Sequence, residues 1–228
     1  MSQMSPSTST PAIRTTTTPP ARRTTARPAR TPSSEFARNL QVRAALGALT
    51  SALSANELAV FESRVIGLDS RSVKQLAIDL GIASRQVQRL ELASGRIVRK
   101  RLRSGPFAEL RSLLLRLCHG LGSVAPLEHA ATRTLFLEVF DGHLAPNDLA
   151  LVLWLAGPYE TREGRLVRSD VELRPLEREA ARLLAEYGAA SPGLPRLFAR
   201  HGVAAVYHAS LIDSLERRGG RPSESRAA

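Results

Sequence analysis

Aromatic side chains are scarce in this sequence of 228 residues: 4% are Phe, Trp or Tyr, whereas 43% are hydrophobic. A core built from this composition must consist mainly of Leu, Val and Ala. Such a core favours helices, because β-strands are enriched in aromatic and β-branched side chains. We therefore expect an all-α, mainly helical fold.

Cysteines and long hydrophobic runs are also nearly absent. Cys118 is the only cysteine, which excludes an internal disulfide and fits a reducing compartment. The longest apolar run, LALVLWLAG, is too short to span a bilayer, and no apolar stretch typical of a signal peptide stands near the N-terminus. We expect a cytoplasmic protein with no membrane partner.

Acidic residues are missing from residues 1–34, which contain five Arg, nine Thr, six Ser and six Pro. A segment of this kind buries too little apolar surface to offset its ordering entropy, so we expect a disordered tail. The prolines argue against the amphipathic helix of an organelle transit peptide. A basic arm that trails over DNA and a tail without function both remain open.

The remaining positive charge is concentrated in one stretch. The chain carries a net charge of +11, and residues 71–103 hold nine basic residues against two acids. Residues 35–70 carry −1 and residues 104–228 carry zero. A concentrated basic patch indicates a polyanionic partner.

Helix-capping signals divide this region into short helices. Ser54 with Glu57 and Ser72 with Gln75 have the spacing of capping boxes, in which each side chain bonds a backbone amide of the other residue. Gly81 ends the second of these helices, and Ser84 is predicted to cap a longer one that runs towards Arg103. Gly95 is expected to end or bend this longer helix.

The stretch LAIDLGIASRQVQRLE, residues 76–91, has the pattern of a helix-turn-helix. Gly81 suits a turn that needs positive φ, and the small side chain of Ala77 suits close helix packing. Five apolar residues are predicted to close a small core: Leu76, Leu80, Ile82, Val87 and Leu90.

The polar residues of the second helix are the predicted DNA-binding site. Arginine pairs with guanine edges, glutamine with adenine, and serine or a helix N-terminus with phosphate. At the start of the helix these residues are Ser84, Arg85, Gln86, Gln88 and Arg89, and a basic run of Arg96, Arg99, Lys100, Arg101 and Arg103 would continue along the DNA backbone. A capped helical hairpin with a solvated basic face is the alternative.

Residues 53–103 resemble the C-terminal DNA-binding domain, region 4, of bacterial sigma-70 family RNA polymerase sigma factors. The resemblance rests on LSANE at 53–57, VKQLA at 73–77, LGI at 80–82, Val87, LE at 90–91 and RKR at 99–101. It implies a nucleoid-associated protein that reads the −35 promoter element in double-stranded DNA and contacts the flap of the polymerase core. It covers only residues 53–103, so a true sigma factor, an activator and a repressor all remain open.

The sequence therefore predicts three segments: a tail at 1–34, the sigma region 4-like helix-turn-helix domain at 35–104, and a helical module at 105–228. In the module, a first helix is expected over FAELRSLLLRLCHG, a second has Pro126 in its first turn, a third starts at Pro146, and a hairpin is expected near 159–168. Three helices followed by a hairpin is the order of a winged helix. The helix at 146–156 has Asp148 and no Lys or Arg, so we expect this module to bind protein rather than DNA. Its apolar residues Leu149, Val152 and Leu153 are covered either by core or by a partner, and only Arg162, Arg165 and Arg168 of the hairpin could touch phosphate.

No catalytic, cofactor or metal-binding pattern stands out. Cys118 and His119 are adjacent and diverge on a helix, the other histidines are scattered, and no GxxxxGK[ST] phosphate loop is present. We expect a sequence-specific transcription protein and not an enzyme. A partner-binding adaptor that docks on polymerase without reading DNA is the main alternative, and a nucleic-acid-processing enzyme is a weaker one. The oligomeric state is open.

Overall fold

The structure is a computed structural model that describes residues 32–69, 71–142 and 144–219, and these residues belong to one compact unit. The described chain is mostly helical, as the composition predicts. Most of the predicted tail lies outside the described residues. The first helix begins at Pro32, three residues before the predicted start.

Four helices form the first half of the described chain. They are α1 (Pro32–Thr50), α2 (Ala55–Val60, continued by a π-helical segment Phe61–Val65), α3 (Val73–Leu80) and α4 (Ser84–Leu102). In α1 the side chains of Val42, Leu46 and Leu49 are buried, because they lie on one face at helical spacing.

The capping box at Ser54 is confirmed, and the one at Ser72 is confirmed only in half. The Ser54 backbone N–H donates to the Glu57 carboxylate at 2.8 Å, and the Glu57 N–H donates to the Ser54 hydroxyl oxygen. Ser72 accepts from the Gln75 N–H at 3.2 Å. The Gln75 side chain does not return this bond, because its Nε2 donates to Asp79 at 2.8 Å instead.

The second half contains six helices and a small sheet. The elements are α5 (Ala108–Leu121), β1 (Val124–Pro126), α6 (Ala130–Phe140), α7 (Pro146–Ala156), β2 (Tyr159–Arg162), β3 (Arg165–Arg168), α8 (Leu173–Tyr187), α9 (Gly193–Arg200) and α10 (His208–Gly219). The strands are antiparallel in the order β1-β3-β2, with Ala125 opposite Leu166 and Glu160 opposite Val167. The predicted hairpin and the helix start at Pro146 are therefore confirmed.

One detail of this half differs from the sequence prediction. Pro126 ends β1 instead of starting a helix, and α6 begins after His129, whose Nδ1 accepts from the Ala131 N–H. Pro126 pairs with Arg165 in the strand register, a long-range contact that local turn signals do not encode. The region 194–217 is two helices and a short 3-10 turn, with positive φ at Gly202 between them.

One large hydrophobic core runs through both halves. It includes Leu46 of α1, Phe61 of the π-helical segment, Val98 of α4, Val152 of α7 and residues of α8 to α10. A second, small cluster lies under α3 and α4. The domain boundary that we place after residue 104 stays a prediction, and the two halves share core contacts across it.

Within the described residues, no single helix is long and apolar enough to cross a membrane. The helices Leu40–Thr50 and Ala55–Val65, which are bent against each other, reach that length and apolar content only when they are taken together.

Candidate nucleic-acid interface

Helices α3 and α4 are held together by the small core. Val60, Leu76, Ala77 and Val87 are buried in it, and Val73, Leu80, Ile82 and Leu90 pack around them. The five residues that the sequence predicts for this core are therefore all present in it. Val60 connects α2 to the pair, so that α2 and α3 together fix the position of α4.

Gly81 makes the turn between α3 and α4. Its φ of 64° and ψ of 32° are left-handed, as predicted, and its N–H donates to the carbonyls of Ala77 and Ile78. The Ile82 N–H also donates to the Ala77 carbonyl, at 3.0 Å. These bonds satisfy carbonyls that the end of α3 would otherwise leave free, and they set the direction in which α4 leaves.

The N-terminus of α4 differs from the prediction, because Ser84 is not the cap. Ala83 has the extended cap conformation (φ −69°, ψ 144°), and Ser84 is the first helical residue. The Ala83 carbonyl accepts from Gln86 and Val87, but its methyl side chain cannot accept from the first-turn amides. The predicted cap at Ser84 is therefore wrong, and α4 begins without a side-chain cap.

The exposed face of α4 is a continuous basic surface, which we call the arginine stripe. Its members are separated by three, four or seven residues and so lie on one side of the helix. They are Arg85, Arg89, Arg96, Lys100 and Arg103, all exposed. None of the five side chains has a hydrogen-bond or ion-pair partner in the part of the chain that the structure describes. Over the 19 residues of α4 this surface extends for about 28 Å.

The other predicted site residues lie beside this stripe. Ser84, Gln86 and Gln88 are exposed at the start of α4 and flank it. Arg101 is half-buried and shares the side of α4 that carries Leu90 and Ile97, so the predicted basic run is not continuous on one face.

The acids near α4 are already bound to cations elsewhere. Glu91 is half-buried and lies 3.5 Å from Arg64 of the π-helical segment. Asp79 of α3 lies 3.4 Å from Arg71. Arg71 also donates to Asp69, and this hydrogen bond holds the pKa of the Asp69 carboxyl below its usual range. Neither Asp79 nor Glu91 neutralises the arginine stripe.

Trp154 of α7 packs on α4, a contact that sequence reasoning missed. Gly95 does not end α4, which continues to Leu102; it is buried, and a Cβ at this position would lie 3.5 Å from the Trp154 ring. The ring also meets Phe61 edge-on, with centroids 5.3 Å apart, and the Arg99 guanidinium lies 4.5 Å from its centroid. The adjacent small residues Ser94 and Gly95 were the available signal, because small side chains allow close approach.

The hairpin arginines do not form a phosphate-binding surface. Arg165, one of the three arginines predicted to reach phosphate, is only 4% exposed and donates to Glu177 at 2.5 Å and to Ser214 at 2.8 Å. Burial of its guanidinium makes that prediction wrong. Arg162 and Arg168 are paired with Glu160 and Asp170, each at 2.6 Å.

The apolar face of α7 is partly core and partly open. Val152 is fully buried, whereas Leu149 and Leu153 line an apolar cavity of about 270 Å³ together with Phe136 and Leu144. Asp148, the charged residue of this helix, lies 3.7 Å from Arg43 of α1.

Among the residues that the structure describes, no three His, Cys, Asp or Glu side chains lie close enough together to hold a metal ion. Comparison of the chain with protein-family models, with curated proteins and with solved structures finds no match in any of the three.

Proposed function

We propose that this protein is a sequence-specific DNA-binding transcription protein that reads double-stranded promoter DNA with α4. The observation that carries the proposal is the arginine stripe, an unneutralised basic surface on the second helix of a helix-turn-helix. A helix held in this way by a first helix can enter the major groove, where base edges differ between all four base pairs.

Six paired arginines in the second half of the chain contrast with the cations of the arginine stripe. Six arginines after residue 160 each have a carboxylate partner: Arg162, Arg165, Arg168, Arg182, Arg200 and Arg218. Their charges are therefore neutralised within the chain. The cations of the arginine stripe are left for a polyanion, whose phosphates would release counterions on binding.

The proposed contacts follow position along α4. Arg85 and Arg89, in its first two turns, would reach base edges, with Gln86 and Gln88 beside them. The Ser84 hydroxyl and the uncapped first-turn amides would meet a phosphate. Arg96, Lys100 and Arg103, farther along, would bind the DNA backbone.

The resemblance to sigma region 4 supports a role in transcription initiation with bacterial RNA polymerase. The helix-turn-helix core and the turn at Gly81 agree with it. We propose that the protein acts on promoters in the bacterial cytoplasm, without a catalytic or metal site of its own.

For residues 105–228 we propose a winged-helix-like module that binds protein. The order α5, β1, α6, α7, β2, β3 and the strand order β1-β3-β2 support the winged-helix assignment. Its α7, which would occupy the reading position, instead packs on α4 through Trp154 and on α1 through Asp148. An adaptor that docks on polymerase without reading DNA is a second candidate, favoured by the exposed apolar side chains of Ile78 (74%) and Leu92 (65%) on the helix-turn-helix itself.

Selection from a pool of random duplexes with the full-length protein tests the proposal. We expect one sequence motif to be enriched, and we expect the variant with Ala at both Arg85 and Arg89 to lose that enrichment. Co-purification with RNA polymerase in the absence of any enriched motif would instead support the adaptor.

A further inference from the structure

Arg99 differs from its neighbours on α4, because it is held by an aromatic ring. It is exposed and lies next to Lys100, at the edge of the arginine stripe. Its guanidinium lies over the ring of Trp154, 4.5 Å from the centroid, whereas the five cations of the arginine stripe have no partner among the described residues.

The Trp154 ring is itself held by two packing contacts, and its helix is anchored in the core. Phe61 meets it edge-on at 5.3 Å between centroids, and Gly95 lets the backbone of α4 approach closely, since a Cβ there would lie 3.5 Å from the ring. Val152, two residues earlier in α7, is fully buried in the large core. The ring therefore presents a constant surface to α4.

A guanidinium that lies over a ring keeps its hydrogen-bond donors free. The attraction to the ring uses the face of the planar group, and the N–H donors point outward from its edge. A free arginine loses rotamer entropy when it binds a phosphate, whereas an arginine already held by a ring loses less. Arg99 is therefore ordered in advance for an oxyanion.

We propose that Trp154 is a positioning residue for DNA binding, which holds Arg99 as a pre-ordered ligand for a backbone phosphate. This inference rests on the proposed function. It adds that a residue of the second half of the chain, on α7, takes part in DNA binding by α4. α7 does not read DNA; it supports the helix that does.

A double-mutant cycle on the full-length protein tests the inference, with duplex DNA of scrambled sequence as the probe. We expect Trp154→Leu to weaken binding about two- to fivefold, the range of a cation–ring contact at an exposed site. In an Arg99→Ala background the same change is expected to have no further effect. Trp154→Phe, which keeps a ring face, is expected to restore most of the affinity.

Two controls separate this role from a general structural one. Trp154→Leu and Arg96→Ala are expected to act additively, because Arg96 has no contact with the ring. Arg196→Ala, which removes an exposed arginine of α9, is expected to leave the cycle unchanged. If Trp154→Leu weakens the Arg99→Ala protein as much as the wild type, Trp154 is only structural and the inference fails.

Fluorescence gives a readout that requires no change in the core. Trp154 is the single tryptophan of the chain, so the emission comes from this ring. Because Arg99 lies over the ring before DNA binds, we expect the emission of free Arg99→Ala to differ from that of the free wild type, and the emission of free Arg96→Ala to match it. Equal emission in free wild type and Arg99→Ala would overturn the inference alone, whereas a wild type that binds no duplex would overturn the proposed function with it.

Discussion

At the scale of single residues, Arg85 and Arg89 are the side chains on which the proposed recognition of DNA bases depends. Both are exposed in the first two turns of α4, and neither has a partner among the described residues. We expect Arg85→Ala or Arg89→Ala to weaken binding to the selected site by about 1–3 kcal/mol, the value of a bidentate contact to a base. Titration of labelled duplex measures this, with Arg196→Ala as the charge-matched control. Wild-type affinity in both variants would show that neither residue reads a base.

Ser123 is a buried residue whose removal is expected to stabilise the fold. It lies between α5 and β1, is fully buried, and its hydroxyl has no hydrogen-bond partner among the residues that the structure describes. An unpaired buried hydroxyl is costly, so Ser123→Ala should raise the free energy of unfolding by roughly 1 kcal/mol. Urea denaturation measures the change, with the exposed Ser112→Ala as control. A decrease in stability would mean that this hydroxyl does have a partner.

Tyr159 links the stability of the fold to alkaline pH. Its buried hydroxyl donates to the Gly122 carbonyl, and burial raises the pKa of the phenol above 10.0. The unfolded chain therefore loses this proton at lower pH than the folded chain does, and stability declines as the pH rises past 10.0. We expect Tyr159→Phe to be less stable at neutral pH because it lacks the hydrogen bond. Its deficit relative to the wild type should shrink above that pH in denaturation experiments, and a deficit that stays constant would contradict this role.

At the scale of elements, α4 begins without a side-chain cap although its cap residue has the right backbone. Ala83 is exposed and has the extended conformation from which serine caps a helix. Ala83→Ser should therefore stabilise the protein by about 0.5–2 kcal/mol. Thermal denaturation measures the gain, and Ala93→Ser, in the middle of the helix, is the matched control. A gain in the control that equals the gain at residue 83 would argue against capping.

Elements whose signals are local could be predicted from the sequence. The capping residue Ser54 lies three residues from its partner Glu57, and Gly81 lies between the two helices that it joins. The spacing of apolar residues also indicates the small core under α3 and α4, because two helices joined by a short turn must pack on each other. The arginine stripe follows from the same spacing.

Elements that depend on distant partners could not be predicted in this way. Val124 and Ala125 form β1 by pairing with β3, some forty residues later in the chain. Local signals do not contain this pairing, and they predict a helix start at Pro126 instead. Gly95 suggested a helix end, but it accommodates the ring of Trp154 from another helix. Likewise the sequence predicts an accessible Arg165, because its partner Glu177 lies on another element, α8.

At the scale of the whole molecule, charge and core are distributed differently. The charge of residues 71–103 is concentrated on one helix, whereas the large core extends from α1 to α10. The second half of the chain thus supports the first through Phe61, Trp154 and the Arg43–Asp148 pair. We propose that one half reads DNA and the other holds the reading helix and offers the protein-binding surface.

The salt dependence of binding tests the central claim most directly. Affinity of the full-length protein for its selected duplex is measured against salt concentration, for the wild type and for Arg103→Ala and Arg101→Ala. We predict a steep loss of affinity with salt in the wild type. Arg103→Ala should reduce the slope of log affinity against log salt by about one unit, since it removes one phosphate contact, and the half-buried Arg101→Ala should change it less. A wild-type affinity that is independent of salt, or equal slopes in all three proteins, would contradict a DNA-binding surface on α4.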